Sequence, residues 1–328
     1  MLWWTVTFSL LTLANNLEPG RSLRREGRLE EAVRFFEEAL AAQPDSALAL
    51  EARRDLGHCL ALAGRYREAM ESYQKLGAVA DPRWQLESFK WAGLTHLYRG
   101  EFDEALAANA REQETARRVG DPAAQVHAAW YRGHVRAELG QFAEANAAFI
   151  TALEVDPDEP QTLHLAGLMT ARQGDTGSLR YQIDDLRQAL RGSHRPSQIR
   201  RVHHLDGELA LLQEQPARAL ALFEKANGLF PHPLYREAMA RAWLARGDLA
   251  AAEAAYRNIV QATDERLDVP LYYVKALHQL ARVLEGRGER QEAAFYYQRF
   301  LDHWEGATRP PPGVAEARRR LERIRRSP

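Results

Sequence analysis

Cysteine occurs once in the 328 residues, at Cys59. A single thiol excludes an internal disulfide and a thiolate metal cage. Inside an apolar helical run it is expected to be buried and inert. Neither sign of charge prevails: 44 Lys and Arg face 45 Asp and Glu, a formal net charge of −1. No global field therefore favours nucleic acid or an anionic membrane. The apolar run Leu2–Ala14 is too short to span a bilayer. Catalytic signatures are missing as well: no Gly-x-Ser-x-Gly elbow, no HExxH, no phosphate-binding glycine loop, no HRD and no DFG.

The first seventeen residues, MLWWTVTFSLLTLANNL, carry no charged side chain. Their apolar run has the length of an export-signal core, with Thr12 and Ala14 small enough for cleavage, but no Lys or Arg precedes it. Three readings stay open: an apolar helix packed on the first repeated unit, an export signal over residues 1–14, or a start that cuts into a longer chain. The expected location is the cytoplasm, with export as the alternative.

Eleven histidines raise the question of a metal. His203 and His204 are neighbours, and on a helix neighbours diverge by about 100°, so they cannot chelate one ion together. His127 and His134 are two turns apart but lack carboxylate or thiolate partners at matching spacing. Glu30–Glu31 and Asp184–Asp185 are adjacent carboxylates that point apart and read as solvated charges. No catalytic, cofactor-binding or metal-ligating residue is expected, and no enzyme activity.

What the chain does have is Ala, Leu, Arg and Glu in abundance, with 45% hydrophobic residues, the composition of an all-helical protein. The clearest phrase is Gly27–Pro44, GRLEEAVRFFEEALAAQP. Leu29, Ala32, Val33, Phe36, Ala39 and Leu40 fall on one helical face, a turn glycine precedes the helix, and Pro44 stands beyond its end. The phrase recurs from Gly64, Gly100, Gly140, Gly174, Gly247 and Gly288, and from Glu214, which stands in for glycine. Successive starts lie between 33 (214 to 247) and 41 (247 to 288) residues apart. Seven residues before each start is another small residue: Gly20, Gly57, Gly93, Gly133, Gly167, Gly207, Ala240 and Ala281. The spacing predicts a helix, a tight turn and a second helix in each unit, crossing at the small residues beside an aromatic. The unit opened by Gly174 has lost its alanine and aromatic positions, so a bend, altered packing or a longer loop is expected between Gly174 and Gln198. Arg195-Pro196-Ser197 reads as a loop and a fresh helix start.

The pattern small-x6-Gly-x-aromatic-x-x-Ala-x3-aromatic-x2-Ala-x4-Pro, repeated about eight times, resembles the tetratricopeptide repeat (TPR). The resemblance implies an all-α solenoid of helical hairpins wound as a right-handed superhelix. It divides the chain into an apolar segment 1–17, an array 18–307 that degenerates around 174–198, and a linker with a capping helix, 308–328. The capping helix, about Val314–Arg326, sets Val314, Ala317, Leu321 and Ile324 on one face and arginines elsewhere. From Ala276 onward the chain resembles arrays attached to bacterial serine/threonine kinases and regulators, although no such head is present in this sequence.

The same resemblance implies a concave groove lined by the first helix of each unit. In that register the groove residues are Arg54, His58, Lys90, Trp91, His127, Trp130, Tyr131, His134, His164, Arg201 and His204, with Trp91 and Trp130 read equally well as large core residues. Aromatic, His and Arg side chains combine contact area with a polar handle, as binding hot spots do. Chaperone-binding members clamp a terminal carboxylate with Lys, Asn, Asn, Lys and Arg. The matching positions here are Arg54, His58, Trp91, His127 and Tyr131, so a chaperone tail is not the expected ligand. The expected function is a non-enzymatic scaffold binding a protein or peptide, with no nucleic acid, membrane span or cofactor. The alternative is the regulatory or sensor segment of a bacterial signalling system.

Overall fold

Each described hairpin turns on a residue with left-handed backbone. In the computed structural model, φ lies between 74° and 84° at Gly27, Gly64, Gly100, Gly140, Gly174, Gly247 and Gly288. Glu214 takes the same place at φ 56°, the one non-glycine residue with positive φ among those described. An L side chain in this region crowds the following carbonyl, which is why the other turns use glycine. The structure describes residues 16–44, 48–156, 159–263 and 265–326. The readings for residues 1–14 fall outside the described residues.

Eighteen helices are described. The paired ones are α1 (Glu18–Arg25) with α2 (Leu29–Ala42), α3 (Ala49–Leu62) with α4 (Tyr66–Gly77), and α5 (Pro82–Tyr98) with α6 (Phe102–Val119). Next come α7 (Pro122–Glu138) with α8 (Phe142–Val155), α9 (Pro160–Arg172) with α10 (Thr176–Ala189), and α11 (Pro196–Leu212) with α12 (Pro216–Leu229). Then come α13 (Pro233–Ala245) with α14 (Leu249–Gln261), the short α15 (Glu265–Asp268), α16 (Pro270–Gly286) with α17 (Arg290–Trp304), and α18 (Pro312–Arg326). The result is an all-α, helical-hairpin solenoid.

The chain forms two compact units. The first holds the described residues up to Tyr98, Asp103–Val119 and Ala262–Pro270; the second holds Arg99–Phe102, Gly120–Gln261 and the chain from Leu271 onward. In the first unit α3 packs on α5, and α15 rests against both. In the second, α7, α9, α11 and α13 pack each on the next. First helices thus stack directly from one hairpin to its successor.

The small residues do what their spacing predicts. A Cβ added at Gly57 would lie 2.4 Å from the Tyr73 ring, one at Gly133 would lie 2.5 Å from Phe149, and one at Gly207 would lie 2.4 Å from Phe223. Each ring is fully or almost fully buried and occupies the volume a side chain would need. The degenerate unit is repacked. With no aromatic on the buried face of α10, the space above Gly167 is filled by Leu205 of the next unit, 2.6 Å from a built Cβ. Leu179, Ile183 and Leu186 bury that face of α10 instead. Gly177 and Ser178 do not break the helix; their amides donate to the Asp175 carboxylate, a side-chain N-cap. Cys59 is buried.

The arginine-rich helix α18 packs on α17 in the second unit. Val314, Ala317 and Leu321 are buried, while Arg320 and Arg323 pair with Glu285, and Arg318 pairs with Glu305.

Candidate partner-binding faces

In the first unit the first helices bring four predicted residues together. His58 on α3 and Trp91 on α5 are in ring contact, with centroids 3.8 Å apart. Lys90 lies over the Trp91 ring at 5.1 Å. The Trp91 indole donates to Glu87 at 2.7 Å, which fixes the ring one turn along its own helix. Arg54 lies 3.3 Å from Asp55, which also accepts from Arg21 at 2.7 Å. Asp55 is 2% exposed and collects cations from α1 and α3. It is the hub of this face, and the repeat pattern does not single it out.

Burial and the cations Arg24, Arg54 and Lys90 push the His58 imidazole well below its ordinary value, so it is neutral at pH 7. His58 and Trp91 are buried, whereas Arg54 and Lys90 are half-buried. The accessible part of the predicted set here is therefore the two cations, Lys90 over the Trp91 ring and Arg54 on Asp55.

In the second unit α7 carries His127, Trp130 and His134 on one face. The His127 and Trp130 rings are 5.5 Å apart, and Trp130 and His134 are 4.8 Å apart. His134 continues inward to Phe149 of its own hairpin and is buried, and that burial lowers its pKa to about 3. Tyr131 is buried too. On the next two first helices, His164 Nε2 lies 2.8 Å from His204 Nδ1, and His204 Nε2 lies 3.3 Å from Glu208. Glu208 pairs with Arg241, which also pairs with Glu237 on its own helix. Burial alone would raise the Glu208 carboxyl, but Arg241 and His204 hold it well below the usual carboxylate range.

The side chains of His58, Trp91, Tyr131, His134, His164 and His204 thus lie inside the helix packing rather than on an open wall. The physical reason is the small residue beside them. It draws the second helix, or the next unit, close enough to cover the neighbouring first-helix position. The half-exposed members are Arg54 and Lys90 in the first unit, and His127, Trp130 and Arg201 in the second.

His127 and Trp130 face a cleft of about 460 Å³ between the start of α7 and the start of α9. Its remaining walls include Asp121, Val126, Asp156, Glu159 and Gln161. Asp121 caps α7, accepting from the Ala124 amide at 3.0 Å, and Glu159 caps α9, accepting from the Thr162 amide at 2.5 Å. Asp121-Pro122 and Glu159-Pro160 are helix-start signals readable in the sequence. What could not be read is that the two starts share one cleft. Among the described residues no group of three His, Cys, Asp or Glu is placed to hold a metal ion. No helix among them is long and apolar enough to cross a membrane.

A second feature escaped the repeat pattern. Lys275 on α16 donates to Glu138 at the end of α7 at 2.9 Å, across 137 residues of sequence. Arg172 approaches the same carboxylate at 3.3 Å. Burial opposes ionisation, yet the two cations hold Glu138 at a pKa of about 2.

Comparison with known protein families agrees with this architecture. Three family models, each described as tetratricopeptide repeat, match residues 12–77, 131–178 and 276–306. Tetratricopeptide repeat protein 8 of Caenorhabditis elegans is 28% identical over 151 residues, which cover 45% of this chain and 28% of that protein. The match thus spans little more than a quarter of that relative's length. Among solved structures, a Rap protein complexed with Competence and Sporulation Factor aligns over 97% of this chain and 98% of its own, at 13% identity and a TM-score of 0.49. A tetratricopeptide repeat protein from Parabacteroides merdae ATCC 43184 aligns over 96% and 99%, at 14% identity and a TM-score of 0.43. Yeast Tom70 aligns over 92% and 60%, at 14% identity and a TM-score of 0.46.

Proposed function

Because the chain is a tetratricopeptide-repeat protein, we propose that it is a non-enzymatic scaffold that takes a protein or peptide partner along its first helices. The observation that carries this reading is the placement of half-exposed polar and aromatic side chains on rigid backing in each unit. Lys90 lies over Trp91 of the buried His58–Trp91 pair, Arg54 is held by buried Asp55, and Trp130 contacts both His127 and buried His134. Side chains held by packing lose little entropy when a partner docks, which favours affinity. Large aromatic and cationic groups are also the types that dominate binding energy.

Affinity purification of the full chain, with the eluted proteins identified by mass spectrometry, tests the proposal. Arg54→Ala/Lys90→Ala and His127→Ala/Trp130→Ala should each reduce recovery of the same partner by roughly tenfold, equivalent to about 1.4 kcal/mol. Helicity measured by circular dichroism should stay unchanged. Recovery that survives both pairs of changes, or that is abolished by nuclease treatment, overturns the reading.

A further inference from the structure

The α7–α9 cleft has a chemistry of its own. Its lining includes three carboxylates, Asp121, Asp156 and Glu159, and neither Lys nor Arg. Arg201, on the neighbouring first helix α11, bonds to the lining residue Gln161 at 3.4 Å and to the Ser197 carbonyl of its own helix, and its charge reaches Glu159 without a hydrogen bond to it. Among the described residues, Asp121 and Glu159 each spend one oxygen on the amide they cap and accept no other side-chain hydrogen bond. One free oxygen therefore remains on each carboxylate. Beside them stands an aromatic wall, the His127–Trp130 pair.

These groups are not arranged to converge on one small ion. An inorganic cation would have to give up its water without gaining a full shell of ligands. The volume, about 460 Å³, falls within the range of clefts that hold an organic group. A flat cation with several N–H donors fits every element of the lining. Its face stacks on the indole, and its edge donates to two separated carboxylates. An ammonium group, compact and strongly hydrated, uses the aromatic wall less well.

We propose that this cleft is a guanidinium subsite, which takes an arginine side chain of the partner segment. The inference rests on the scaffold reading, because it names the chemistry of the partner at the second unit's face.

The test uses the full-length chain and a capped peptide, acetyl-Gly-Gly-Arg-Gly-Gly-amide, against the same peptide with citrulline. Citrulline keeps the shape and removes the charge. The readout is the Trp130 indole N–H resonance, identified as the signal missing from Trp130→Phe. The arginine peptide should shift that signal saturably, with an affinity roughly tenfold or more above that of the citrulline peptide. Asp121→Asn/Glu159→Gln should weaken the arginine peptide by roughly tenfold, and Glu144→Gln/Asp185→Asn, exposed carboxylates of the same unit, should not. Should the cap substitutions lower helicity, Asp156→Asn, which caps neither α7 nor α9, supplies the comparison.

Equal binding of the two peptides, no shift at Trp130, or indifference to the carboxylate changes overturns the proposal. The scaffold reading fails separately. Loss of partner capture in His127→Ala/Trp130→Ala without any arginine preference leaves the scaffold standing and removes the guanidinium subsite. Arginine binding with partner capture unaffected by all the first-helix changes does the reverse.

Discussion

His164 Nε2 and His204 Nδ1 are 2.8 Å apart, and both rings are buried, His204 with 0% of its surface exposed. Beyond them His204 Nε2 lies 3.3 Å from Glu208, which pairs with Arg241. The two rings thus connect α9 to α11, and the Glu208–Arg241 ion pair lies beyond His204. Burial, and after it His204 and Arg201, keep His164 well below its ordinary pKa.

Acid should therefore loosen the protein before its carboxylates titrate. His58 and His164 lie well below 6.5, His134 at about 3 and His278 at about 4, each mainly through burial. Between those values and 6.5 the unfolded chain binds protons that the folded chain refuses. Stability is thus complete above about pH 6.5 and falls as pH drops below it, by up to about 1.4 kcal/mol per histidine per pH unit. Urea unfolding at about pH 7.5 and about pH 5.5 should show the loss, and His134→Gln should make it smaller. An unchanged midpoint would contradict the neutral, buried assignment.

The turn at Glu214 carries a backbone cost that its glycine counterparts avoid. A left-handed non-glycine residue costs about 1–2 kcal/mol, and glycine returns part of that by its freedom when unfolded. Glu214→Gly is expected to stabilise by roughly 0.5–1 kcal/mol, measured by urea unfolding. Gly247→Glu, the reverse change at an equivalent turn, should destabilise.

Gly207→Ala should cost roughly 1–3 kcal/mol, since the new methyl would lie 2.4 Å from the buried Phe223 ring, which has nowhere to go. Gly228 in α12 has open space around it, so Gly228→Ala should be neutral or stabilising by a few tenths to about 1 kcal/mol. Thermal midpoints of the two variants separate the packing effect from helix propensity.

The packing of α18 on α17 should depend on its apolar face more than on its arginines. Leu321→Ala, at 3% exposure, is expected to lose about 2–3 kcal/mol. Arg323→Ala removes a pair whose arginine is 63% exposed and should lose less than about 1 kcal/mol. Equal losses in urea unfolding would mean that this packing is electrostatic.

How the hairpins are built was legible residue by residue. Gly57, Gly133 and Gly207 announced the crossings, and Tyr73, Phe149 and Phe223 announced the rings that fill them. Even Glu214 was recognisable as a turn, because its neighbours Ala219, Phe223 and Ala226 kept their places. Such contacts recur at fixed short separations, so one chain carries several copies of the same instruction.

Accessibility along the first helices was decided by tertiary structure. The repeat phase places His58, Trp91 and His204 on the first helix of their units. Whether a side chain there meets a partner or a neighbour depends on helix rotation and on how closely the next hairpin stacks, and small residues make that stacking close. The Lys275–Glu138 pair, 137 residues apart, and the shared cleft of Asp121 and Glu159 have the same origin. They depend on the orientations of several successive hairpins together, which no single repeat encodes.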